Sequence, residues 1–229
     1  MLLKKLHTIL DFALPRLCLT CGNELLFEEH TICTYCCNNI EIATEERLEL
    51  EFKRKFEKNQ LISDFRAAFV FKENSLVQSL IHSLKYDGNF NVGKFLGNQL
   101  YEVINKNINS WNPDLILPIP LHNLKKAERG FNQAAEISKS LSRISKIQSL
   151  NNCIKRIRFT KTQTKLNLEE RKKNIEGAFI VKNKNKIKGK RILLVDDVVT
   201  TGATISECAQ VLLQNGASKV FALSVAIAD

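Results

Sequence analysis

Residues 192–204 read ILLVDDVVTTGAT: four aliphatic residues, two adjacent carboxylates, then a turn of hydroxyls, small side chains and one glycine. A short apolar run bounded by turn residues is the pattern of a strand buried on both faces, as parallel strands covered by helices are. A helical pattern, TISECAQVLLQNG, follows from near Ala203, and a second apolar strand, KVFALSVAIA, closes the sequence. Strand, helix and strand in this order build a parallel α/β sheet, and Gly216 sits where a helix takes a left-handed terminator. Asp196 and Asp197 then stand at the carboxyl end of a central strand, the edge at which open α/β sheets bind ligands.

That placement carries a chemistry. Backbone N–H groups of residues 200–204, the hydroxyls of Thr200, Thr201 and Thr204, and the positive end of the following helix can together cradle a phosphate dianion. Gly202 lets the backbone approach that anion. The two carboxylates repel a phosphate, but they accept hydrogen bonds from vicinal hydroxyls or reach a hydrated magnesium ion. A phosphate beside a diol describes a ribose 5-phosphate, so the stretch predicts a sugar-phosphate site. An empty loop of this kind is expected to contribute little to the stability of the free protein.

Working outward, FRAAFVF has strand composition, and SLVQSLIHSLKY, VGKFLGNQLYEVINK and FNQAAEISKSLSRIS have helical spacing. DLILPIPL is a buried strand ended by prolines, and CIKRIRF and GAFIV are short strands. These segments predict a doubly wound α/β domain over residues 61–229. Before it, EIATEERLELEFKRKFEKNQ is rich in charge and lacks glycine and proline; it reads as a solvated helix or a charged linker, assigned to residues 46–60.

Five of the seven cysteines crowd into residues 18–37. Cys18, Cys21, Cys33 and Cys36 form two C-x2-C knuckles, which suit one tetrahedral zinc ion; an iron–sulfur cluster or buried or disulfide-bonded cysteines are the alternatives. Cys37 can replace Cys36, although the two-residue spacing favours Cys36. With all four ligands from the protein, no position stays open, so such a zinc is structural. Residues 1–45 are therefore read as an N-terminal helix plus a small zinc-ribbon-like module.

No window approaches a membrane span, so no transmembrane helix is expected. The N-terminal MLLKKLHTILDFALPRL is broken by His7, Thr8 and Asp11 and reads as a short amphipathic helix, not a signal peptide. The reading is a cytoplasmic protein whose thiols stay reduced. The formal net charge of +10 favours polyanionic partners: nucleic acid, phosphorylated metabolites or anionic lipid.

Two acids followed by VVTTGAT after an aliphatic strand resemble the phosphoribosyl pyrophosphate (PRPP) motif of type I phosphoribosyltransferases. Together with the cysteine knuckles, HSLKYDG, PIPLHNLKKAERGFNQA and TQTKLNLEERKKNIEGAF, the chain resembles the ComF family of competence-associated proteins over nearly its whole length. The resemblance implies a phosphoribosyltransferase-like fold and magnesium-dependent displacement of pyrophosphate from PRPP. It implies that Asp196 and Asp197 hold the ribose hydroxyls, with Val198, Val199, Thr200, Thr201, Gly202, Ala203 and Thr204 around the 5-phosphate. It also implies a pyrophosphate loop of Pro118, Ile119, Pro120, Leu121 and His122, with Arg129 as an anion contact at a helix start.

His122 reads equally as a surface turn residue and Arg129 as half of a salt bridge. Asn132, Gln133, Arg171 and Asn174 match the family's pattern with no role legible. Residues 155–173 carry eight Lys or Arg against two Glu and are read as a mobile loop or a solvated basic hairpin. VKNKNKIKGKR is read as a turn with solvated lysines. The hood that recognises an acceptor in such transferases is expected from residues 61–95, and the acceptor itself is not legible. The implied partners are PRPP or a ribose 5-phosphate-type ligand, single-stranded DNA and the competence machinery. Three readings follow: a transferase, a PRPP-responsive binding module, and a DNA-uptake component.

Overall fold

The computed structural model describes residues 15–158 and 175–228. The N-terminal amphipathic helix and most of the basic loop, with Arg171 and Asn174, lie outside the described residues.

In chain order the elements are α1 (Thr34–Asn38), α2 (Glu45–Lys55), β1 (Phe65–Phe71), α3 (Leu76–Tyr86), α4 (Phe90–Ile104), α5 (Ile108–Trp111) and β2 (Leu115–Pro118). They continue with α6 (Asn123–Arg129), α7 (Gln133–Ser145), β3 (Gln148–Ser149), β4 (Ile154–Arg156) and β5 (Phe179–Val181). The last are α8 (Lys184–Ile187), β6 (Arg191–Val199), α9 (Ala203–Gln214) and β7 (Lys219–Ala228). Among the described residues, five strands form one parallel sheet in the order β1-β7-β6-β2-β3, as the α/β pattern predicts. β4 and β5 pair separately as an antiparallel ribbon.

Strand β6 has both faces covered. Ile192 and Leu194 belong to a core shared with Phe65, Ile205 and Leu212, while Leu193 and Val195 belong to a second core with Leu84, Leu96 and Ile137. A strand whose successive side chains point to opposite faces reads as an unbroken apolar run when helices cover both. On the second face α4 and α7 cross closely at Gly97, where an added Cβ would stand 2.6 Å from the Ser140 Cβ. Ser140 closes that contact by donating its hydroxyl to the Lys94 carbonyl at 3.1 Å.

The sequence reading is corrected at residues 46–60. This segment is not a linker but α2 and the turn after it, begun by the Thr44 side chain accepting the Arg47 amide at 3.3 Å. Leu48 and Phe56 are each 1% exposed and share the core of β6. Glu51, also buried, pairs with Lys55 at 2.7 Å, and the Lys55 ammonium donates to the Ala228 carbonyl at 3.0 Å. The high charge of the segment concealed a buried stripe one turn apart. Residues 41–43 reach the free edge of β1, through Ala43 N–H to the Ala68 carbonyl at 3.0 Å and Val70 N–H to the Glu41 carbonyl at 2.9 Å. Cys18, Cys33 and Cys36 share a buried cluster with Leu80 and Leu84 of α3. The boundary near residue 60 therefore does not exist as a break in the core.

Residues 61–95, the expected hood, include β1, an edge strand of the main sheet, and α3, which packs its Leu80 and Leu84 into the core. The lysine-rich 182–191 run contains the short helix α8, pinned by the fully buried Ile187.

Gly202 ties α2 to the hydroxyl-rich loop. Its φ is +76°, and a Cβ there would lie 2.7 Å from Cε1 of Phe56. The glycine thus serves core packing, and the loop does bear on stability. Gly202→Val is expected to lower unfolding free energy by about 2 to 4 kcal/mol, from left-handed strain and overpacking against Phe56. Urea denaturation reads this; an unchanged midpoint would mean that Phe56 yields without loss.

Candidate functional site

The carboxyl edge of β6 is built in three steps. The strand stays in register with β7 through Val198 and Val199, opposite Ala226 and Ile227, so it runs two residues past the acids. The chain then turns at Thr200 and Thr201, and Gly202 begins α9 from the left-handed region without a side-chain cap. Thr201 Oγ1 accepts the Ala203 amide at 3.3 Å. A cavity of about 60 Å³ lies inside this turn, lined by Asp196 and residues 198–205. Helix N-terminal amides beside a small polar cavity are suited to one tetrahedral anion.

A second cavity of about 230 Å³ adjoins it, sharing Asp196 and Thr204 as lining. Its walls bring together Ile119, Pro120 and Leu121 from the loop after β2, and the cations Lys85, Lys125, Arg129 and Arg156. The loop is fixed by Ile119 N–H donating to the Val195 carbonyl at 2.9 Å and by Asn132. Asn132 caps α7 by accepting the Ala134 amide at 3.1 Å, and its Nδ2 donates to the Ile119 carbonyl at 2.9 Å. Beside it Gln133, 2% exposed, lines the cavity with an Nε2 that has no partner among the described residues.

Arg129 sits at the C-terminal end of α6, not at a helix start, and Gly130 closes that helix at φ +79°. The helix expected from FNQAAEISKSLSRIS is α7, begun by Asn132, so Arg129 lies before it and not in its first turn. The guanidinium lies 5.3 Å from the Tyr86 ring centroid, a cation–π contact that holds it at the cavity wall. His122 caps α6, its Nδ1 accepting the Leu124 amide at 3.3 Å, and neither it nor Pro118 lines the cavity. Pro118 ends β2 opposite Val195.

Lys85 and Arg156 were not singled out from sequence. Lys85 comes from the last turn of α3 and forms an ion pair with Asp197. Arg156 comes from β4, so the start of the basic 155–173 segment is ordered ribbon. HSLKYDG and CIKRIRF contain both residues, but only the tertiary fold carries α3 and β4 to the ends of β2 and β6.

The charges in this space perturb one another. Burial, and then Asp197 beside it, push the Asp196 carboxyl well above its usual range. Burial acts on Asp197 in the same sense, yet the Lys85 ammonium overrides it and holds that carboxyl below the usual range. Lys125 is lowered by burial and by the cations Arg129, Arg156 and Lys85, and Arg156 is lowered by burial. Four cations crowded around a desolvated hollow are relieved by an entering polyanion. A larger open groove of about 1010 Å³ runs between α9 and β5, but its Lys55 is already paired with Glu51.

At the N-terminus, one sulfur each from Cys18, Cys21, Cys33 and Cys36 lies within 4.8 Å of the others. Cys36, not Cys37, completes the set. Amides point at two of the sulfurs, Cys33 N–H to Cys18 Sγ at 3.2 Å and Cys36 N–H to Cys33 Sγ at 3.4 Å. Four close sulfurs with amide donors suit a soft tetrahedral cation, and the cluster can hold a metal such as zinc.

No helix among the described residues is long and apolar enough to cross a membrane. Comparison with known proteins matches the phosphoribosyl transferase domain to residues 96–228, more than half of the chain. Competence protein F of Haemophilus influenzae is 34% identical over 145 residues, covering 62% of this chain and 63% of that protein. DNA utilization protein YhgH of Escherichia coli K12 is 37% identical over 144 residues, with the same coverage. The chain thus matches somewhat less than two thirds of the length of these relatives. Competence protein ComFC of Bacillus subtilis is 27% identical over 206 residues, 88% of this chain and 79% of that protein. With its parallel sheet, its acid-and-hydroxyl turn and its cysteine cluster, the chain belongs to the phosphoribosyl transferase domain family, as a ComF-type member.

Proposed function

We propose that this protein binds PRPP at the carboxyl edge of β2 and β6 and transfers its phosphoribosyl group to an acceptor. The observation that carries this reading is the adjacency of two anion-receiving cavities joined at Asp196 and Thr204. A ribose carrying phosphate at one end and diphosphate at the other needs that pair of hollows with hydrogen-bond acceptors between them. Residues 200–204 hold the 5-phosphate on helix N-terminal amides. Asp196 and Asp197 accept the ribose hydroxyls, and Lys125, Arg129 and Arg156 face the diphosphate.

Magnesium fits this donor set: Asp196 is a carboxylate disfavoured as an anion until a cation or hydroxyls meet it. When bound with the ligand's phosphate oxygens, magnesium supplies charge neutralisation of the leaving diphosphate. The protein's own part is to fix the sugar between its two anionic ends and to keep cations around the departing charge.

The relatives' names connect the family to competence and DNA utilization, and we extend to this chain a cytoplasmic role in DNA uptake. The net charge of +10 supports a polyanionic partner such as single-stranded DNA.

Calorimetric titration tests the site. Asp196→Asn is expected to weaken both PRPP and ribose 5-phosphate by about ten- to a hundredfold, since each charge-assisted bond contributes roughly 1.5 to 3 kcal/mol. Arg129→Gln is expected to weaken PRPP comparably and to leave ribose 5-phosphate unchanged. Pyrophosphate release on adding candidate acceptors separates a transferase from a binding module. Wild-type affinity retained by both variants would remove the site from this edge.

The cysteine cluster is proposed to hold one structural zinc. Purified protein is expected to carry about one equivalent, and removing it with a chelator should lower the melting temperature of the whole chain, because Cys18, Cys33 and Cys36 share a core with α3. Cys18→Ser should reproduce that loss; equal melting with and without metal would make the thiols merely buried.

A further inference from the structure

Asp197 has both oxygens engaged in the free protein. Its Oδ1 accepts the Val198 amide at 2.8 Å, and its Oδ2 receives the Lys85 ammonium. A ribose hydroxyl approaching Asp197 therefore has to share an oxygen with the amide or with the ammonium, on a side chain only 15% exposed.

Lys85 is built to leave. Its backbone is fixed, because Leu80 and Leu84 of the same helix are fully buried. Its side chain is a flexible four-carbon stem that ends in the cavity lined by Lys125, Arg129 and Arg156. With no ligand, Asp197 is the acid that balances Lys85 against those three cations. A diphosphate entering the cavity offers Lys85 a second, more highly charged partner from the same position.

We propose that Lys85 is a transferable cation: it neutralises Asp197 in the free protein and moves to the anionic end of the ligand, releasing Asp197 to the ribose hydroxyls. The proposal rests on the sugar-diphosphate reading of the cavity. Lys85 precedes residue 96, where the family match begins, so this ligand contact is supplied by α3 from outside the matched segment. One consequence is coupling. Filling the diphosphate end uncovers the hydroxyl end, so each half-ligand improves the other's binding.

The test titrates ribose 5-phosphate with and without saturating pyrophosphate, in magnesium, by calorimetry. In the wild type, pyrophosphate is expected to raise ribose 5-phosphate affinity several-fold. In Lys85→Gln, ribose 5-phosphate alone should bind several-fold tighter than to the wild type, pyrophosphate alone about tenfold weaker, and the coupling should vanish. A merely structural lysine would weaken both ligands together, and that result overturns the proposal, as does coupling that persists in Lys85→Gln. Where the orphaned Asp197 prevents folding, the neutral pair Lys85→Gln/Asp197→Asn serves instead. It should bind pyrophosphate about tenfold more weakly than Asp197→Asn alone, and equal affinity overturns the idea. A wild type that binds neither PRPP nor ribose 5-phosphate removes the sugar-diphosphate reading itself, a failure distinct from loss of coupling alone.

Discussion

Two neighbouring carboxylates at the end of a strand covered on both faces form an unstable arrangement unless cations or donors surround them. β6 imposes that arrangement, because Ile192–Val195 must be buried for the sheet to exist and the strand then carries Asp196 and Asp197 into a desolvated edge. Around them the chain gathers Lys85 from α3, Lys125 and Arg129 from α6, and Arg156 from β4. These four residues come from three segments well separated in sequence. Their convergence follows from the helices and the ribbon meeting one sheet edge.

The pair also divides the labour between two identical side chains. Asp197, bonded to an ammonium and an amide, is held below the usual carboxylate range; Asp196, which accepts the Asp197 amide at 2.9 Å, is pushed above it by burial and its negative neighbour. A preorganised site holds its charge in a state that a ligand completes, and here the raised carboxyl belongs to the residue shared by both cavities.

The strand-turn-helix of residues 192–214 was legible because its signals are local: an apolar run, adjacent acids, a glycine and threonines. The cysteine knuckles were legible for the same reason, and spacing favoured Cys36 over Cys37 as the geometry does. What sequence could not supply was tertiary. The buried face of α2 hides under eleven residues dominated by charge, with Leu48, Glu51, Phe52 and Lys55 turned inward to mark it. Lys85 and Arg156 are ordinary cations until the fold brings them to the acids. Arg129 was placed at the wrong end of a helix, because Gly130 terminates α6 while Asn132, two residues on, starts α7.

The position of β1 bears on how the family match may be cut from the chain. β7 is the sheet's longest strand, flanked by β6 on one side and β1 on the other. The match begins at residue 96, inside α4, and leaves β1, α2 and α3 outside it. A fragment starting there would uncover the edge of β7 from Ala222 to Ala228. Such an edge recruits other strands, so the isolated segment would be a template for self-association.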